Sequence, residues 1–123
     1  MATTITQIKE ALRSILQATG RDVTVAFDYA APPEASRAII IDAISINYEH
    51  QLDLGAYRTL SADLNVYAKT AADLDALIDA IAALDSSDTP AVRYLEINNI
   101  TINGDDPDVK SARISVSARI DEL

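Results

Sequence analysis

Hydrophobic and polar positions follow two rhythms along this chain. Ile5, Ile8, Leu12, Ile15 and Leu16 recur every three or four residues, which predicts an amphipathic helix started by Thr3 or Thr4 and stopped near Gly20. "VTVAFD" at 23–28 instead alternates, with Val23, Val25 and Phe27 on one side and Thr24, Ala26 and Asp28 on the other. That is a half-buried strand. "YAAPPEASR" at 29–37 cannot extend it, because consecutive prolines remove ladder donors, so it reads as a loop and a contact arm.

The middle of the chain is extended. From Ala38 to about Gln51, Ile44, Ile46 and Tyr48 alternate with Ser45, Asn47 and Glu49, and "LDLGA" around Gly55 reads as a turn into a second long strand, giving a hairpin. In that strand Leu60, Ala62, Leu64, Val66 and Ala68 oppose Tyr57, Thr59, Ser61, Asp63, Asn65, Tyr67 and Lys69, which predicts one apolar and one polar face along its length. Thr70, with Asp73 three residues on, is arranged as a capping box for a helix whose stripe is Leu74, Leu77, Ile78, Ile81 and Leu84. "SSDTP" at 86–90 is a turn, 92–103 is extended with a bulge near Asn98–Asn99, and "GDDPD" at 104–108 is a tight loop. Ala112 to Ile120 alternates as a last strand.

The order α-β-β-β-α-β-β defines an α+β fold: a two-layer sandwich of one mainly antiparallel sheet with both helices on its apolar face. At 123 residues the whole chain, 1–123, is expected to form one domain.

Composition narrows what this fold does. Nineteen acidic against ten basic residues give a net charge of −9, which repels a phosphate backbone and argues against tight nucleic-acid binding. Such a surface can still let DNA slide past. The chain has no cysteine, which removes disulfides, thiolate metal sites and a cysteine nucleophile. No secretory leader is visible at the start, and the longest apolar run, "AIII" at 38–41, is far short of the ~20 residues of a membrane span, so no membrane partner is expected.

Candidate chemistry is sparse. The glycines, Gly20, Gly55 and Gly104, are too scattered for a phosphate-binding loop, and His50 is the only histidine. Asp105, Asp106 and Asp108 could offer oxygens to a hard cation, but the spacing of a calcium-binding EF-hand loop is absent, and Asx residues around a proline are the ordinary material of a turn. Asp73, Asp75 and Asp79 read as a solvated helix face. Neither a catalytic residue nor a cofactor is expected. What remains is assembly: an open sheet has edges to pair or cover, and long strands, the arm at Pro32, Pro33 and Glu34, and the acidic loop are candidate contacts.

Three stretches together carry a resemblance: "TTITQIKEALRSIL", the strand-to-helix unit "LSADLNVYAKTAADLDALIDAIAALD", and "VRYLEINNITINGDDPDVKSARISVSARI". In length and element order the chain resembles the tail terminator (tail completion) proteins of long-tailed phages and related viruses. The resemblance implies a non-enzymatic virion protein, assembled in the host cytoplasm, that forms a hexameric ring at the head–tail junction. Its partners would be the tail-tube protein and a neck or head-connector protein, with DNA passing non-specifically through the lumen. On that reading Pro32, Pro33, Glu34, Asp63, Asn65, Tyr67, Lys69, Asp105, Asp106 and Asp108 are candidate interface or lumen residues. The competing expectations are another neck or tail-tube ring protein and, in a different class, a small-molecule-binding α+β domain using the polar sheet face.

Overall fold

Thr4 opens the first helix, α1 (Ile5–Gln17), in the computed structural model, which describes residues 4–20, 23–27, 37–51, 55–89, 91–103 and 110–122. Its Oγ1 accepts the Gln7 N–H at 3.2 Å while Gln7 Oε1 accepts the Thr4 N–H at 2.8 Å, a reciprocal capping box. The helix ends at Gln17 with a right-handed cap at Ala18, three residues before the glycine expected to stop it. Gln17 Nε2 donates to the Gly20 and Val23 carbonyls and fastens the turn into the first strand.

The strands are β1 (Val23–Phe27), β2 (Arg37–Gln51), β3 (Gly55–Ala68), β4 (Arg93–Asn103) and β5 (Lys110–Glu122), with a second helix, α2 (Ala71–Ala82), between β3 and β4. They form one sheet in the order β1-β2-β3-β5-β4, antiparallel except for the parallel β1–β2 pair. The expected α+β architecture is therefore present. The arm at Pro32, Pro33 and Glu34 and the loop at Asp105, Asp106 and Asp108 lie outside the described residues, as does the turn at 52–54.

Thr70 Oγ1 accepts the Asp73 N–H at 3.1 Å and starts α2, which is the N-cap half of the capping box expected there. Leu74, Leu77, Ile78 and Ile81 are buried, whereas Leu84 falls in the turn after the helix and is only partly buried. α1 lies over β1, and α2 lies over β3 and β5. Both stripes merge with Val23, Val25, Ile39, Ile41, Leu60, Leu64, Val66, Ile114, Val116 and Ile120 into one core. Ile5, counted with the buried stripe from sequence, is instead 47% exposed.

Four register shifts interrupt the ladders, one of them between Tyr57 and Thr59 where β3 pairs with β5. β2 shifts register between Ile41 and Ala43, so Ile39 and Ile41 face the helices before it and Ile44 and Ile46 after it. β4 shifts between Ile97 and Asn99, where the sequence predicts a bulge, and again between Arg93 and Glu96.

Three positions break the simple picture of one apolar and one wet face. Ala38 and Ile40 pair with Tyr67 and Asn65, on the face away from the helices, yet both are buried. Conversely Arg58, whose alternation puts it beside Leu60 on the helix side, is only 5% exposed and stacks its guanidinium 5.9 Å from the Tyr48 ring. Geometry explains an arginine at that end. Strands of 15 and 14 residues run about 45–50 Å, whereas a 13-residue helix spans about 20 Å. The helices cannot cover the full length of the hairpin, and an amphipathic side chain suits the uncovered end.

Candidate assembly surface

The polar face is built by register. β3 stands between β2 and β5, so Ser61 lies between Ser45 and Ser117, Asp63 between Ala43 and Ser115, and Asn65 between Ile40 and Arg113. Strand alternation sends these side chains to the face opposite the helices.

Asp63 is the node of that face. Its carboxylate accepts a hydrogen bond from Arg113 Nη2 at 3.0 Å and another from Ser115 Oγ at 3.0 Å. Arg113 also reaches the Asp42 carboxylate at the β2 bulge, at 3.7 Å. One arginine thus ties three strands together. The hydrogen bond from Arg113, then that from Ser115, holds the Asp63 carboxyl below the ordinary aspartate range.

Of the other residues singled out from sequence, Asn65 and Tyr67 line the same face and are half-buried, while Lys69 is exposed in the bend between β3 and Thr70. Asp63, Asn65 and Tyr67 therefore belong to one surface, but Asp63 is occupied within the protomer.

A second feature of this face was hidden in the sequence. The bulge at the start of β4 sets Tyr94 and Leu95 against the single residue Ala118, and Tyr94 takes a φ of 55°. A bulky residue in the left-handed region is strained by about 1–2 kcal/mol. Leu95 is buried, its N–H donating to Ser87 O and its carbonyl accepting from Ser86 N–H, while Tyr94 is 57% exposed. The Arg93 guanidinium lies 5.3 Å from the Tyr94 ring and pairs with the Asp88 carboxylate, which raises the already high arginine pKa. Arg119 stacks 4.6 Å from the Tyr57 ring. Between these groups runs an open groove of about 510 Å³ lined by Thr59, Ser61, Tyr94, Glu96, Ser117 and Arg119.

Arginine and tyrosine flanking small hydroxyl residues form a surface suited to protein contact. Spacing alone could not reveal it, because the bulge, not the sequence separation, brings Tyr94 to the groove. Replacing Tyr94 with Asn, which tolerates the left-handed region, is expected to stabilise the isolated protein by about 0.5–1 kcal/mol. A denaturation midpoint that falls instead would show that the ring contributes to the protomer's own packing.

Among the described residues no group of three His, Cys, Asp or Glu side chains is placed to hold a metal ion, and no helix is long and apolar enough to cross a membrane.

No protein-family model matches the chain, and no curated protein matches it in sequence. Solved structures do. A chain from the virion of a native gene transfer agent (GTA) particle superposes with a TM-score of 0.61 at 18% sequence identity, covering 92% of this chain and 90% of that one. The two share a fold over nearly their whole lengths.

Proposed function

We propose that this protein is a structural component of a phage-like virion, and specifically a tail terminator: a hexameric ring that caps the tail tube, ends its polymerisation and joins the tail to the neck or head connector. The observation that carries this reading is the end-to-end match of fold with a chain of a gene transfer agent virion. The resemblance of three sequence stretches to tail terminators points the same way. DNA crosses the lumen without being held, in keeping with a net charge of −9. The chain acts by assembly rather than catalysis, without a cofactor, as a single domain over residues 1–123.

Native mass spectrometry and negative-stain electron microscopy test this together. The expected result is a hexamer with an open lumen, in solution or on the end of tail tubes, and tubes of limited length when the chain is added to polymerising tube protein. A permanent dimer that leaves tube length unchanged overturns the reading. Incorporation along the tube, rather than at its end, would make it a tube protein instead.

A further inference from the structure

The two edges of the protomer carry complementary surfaces at the same height. Phe27, Ile41, Leu64, Ile114 and Ile100 pair in succession and form one row across all five strands. Ile100 on β4 is therefore level with Phe27 on β1. Both Ile100 and Ile102 pair with core residues of β5, Ile114 and Ala112, and so face the helix side, yet they are 37% and 59% exposed. The neighbouring stretch of β4 is better protected: the turn after α2 binds Leu95, and Asp85 Oδ1 accepts the Ile97 N–H at 2.9 Å. Beyond it an apolar floor lies open.

At the other edge, α1 runs back over β1 and brings Lys9 Nζ to 5.8 Å from the Phe27 ring, so the N-terminal half of α1, which begins at the exposed Ile5, reaches that height. Ile5, Lys9 and Arg13 recur every fourth residue and share one exposed flank of α1. Asp75 and Asp79 share an exposed flank of α2, and residues 71–89 contain no basic residue at all. Strands β3 and β4 are parallel and are joined by α2 across β5. The right-handed sense that such crossovers take turns the Asp75–Asp79 flank towards β4.

We propose that the first helix of a second copy of this chain fills the place over β4, with Ile5 packed on Ile100 and Ile102 and with Lys9 and Arg13 facing Asp75 and Asp79. The contact rests on the ring reading above and supplies its interface. It joins two different surfaces of the protomer, so each copy engages one neighbour on each side, and repetition closes a ring. Equal height at the two edges keeps successive copies in one plane. Opposite charge on the two helices fixes orientation and disfavours contact between like edges.

A disulfide test is clean because the chain has no cysteine of its own. Under mild oxidation the double variant Ile5→Cys/Ile102→Cys is expected to give a ladder of covalent multimers ending at the ring. Each single variant alone should give none, and their mixture only dimers. Charge reversal supplies a second readout on exposed residues: Lys9→Glu/Arg13→Glu and Asp75→Lys/Asp79→Lys each weaken assembly at least tenfold, and combining them in one chain restores it. Circular dichroism verifies that each variant is folded. If the unaltered chain forms rings but the folded double-cysteine variant gives no ladder, this interface is wrong and the ring reading stands. Cross-linking of the Ile102→Cys variant with itself would mean a two-fold contact and also overturns the proposal. A chain that stays monomeric both alone and on tail tubes overturns the interface and the ring together.

Discussion

Leu64→Ala is expected to destabilise the protein by about 2–5 kcal/mol, the range for emptying a fully packed aliphatic site. Leu64 has no exposed surface and sits in the middle strand, between Ile41 and Ile114 in the row that crosses the sheet. α2 lies over β3 and β5, so the lost volume is bounded by sheet neighbours and a helix that cannot all close in at once. With domain stabilities of about 5–15 kcal/mol, the loss takes a large share of the total. Urea denaturation measures it: the midpoint should fall with little change in slope. The exposed Thr101→Ala change on β4 serves as control and is expected to stay within about 0.5 kcal/mol. A Leu64→Ala loss below about 1 kcal/mol would contradict a packed core at this row.

The second large effect lies on the opposite face. Asp63→Lys removes the acceptor of Arg113 and Ser115 and puts a second cation beside the first, at an expected cost of about 1–2 kcal/mol. The figure is kept small because the Asp63 and Arg113 side chains are 33% and 48% exposed, and water screens the pair. The pH dependence has a definite sign. The folded carboxyl titrates below its unfolded value, so its contribution is complete above about pH 4 and fades as pH falls through the folded value. Asp63→Asn should flatten that acid limb of the stability curve. An unchanged limb would mean that the Arg113 bond does not persist in solution. These measurements also sharpen the sequence-based expectation that Asp63 contacts a neighbour or the lumen. Any assembly defect of Asp63→Lys must first be corrected for the weakened protomer.

How much of this was legible beforehand differs by element. α2 was readable almost whole, because Thr70, Asp73 and the Leu/Ile stripe each point to the same helix. The bulge at Asn98–Asn99 showed in the switch of isoleucines from Ile97 to Ile100 and Ile102. The β2 bulge leaves the same kind of trace, Ile39 and Ile41 giving way to Ile44 and Ile46. Arg58 and Tyr94 left no such signal. An arginine reads as surface unless the strand is known to outrun its helices, and a tyrosine gives no sign of a positive φ.

By itself the sequence determined the elements and their faces, since period and capping are local properties that neighbouring residues enforce. It determined the acidic balance and the lack of cysteine-, glycine-loop- and multi-histidine-based sites for the same reason. The tertiary structure decided the strand order β1-β2-β3-β5-β4, which places β4 at an edge with Ile100 and Ile102 uncovered. It also decided that Asp63 spends its charge on Arg113, a residue 50 positions away. Both depend on which distant strands become neighbours, and that choice is settled by burial of the shared core, not by any local pattern.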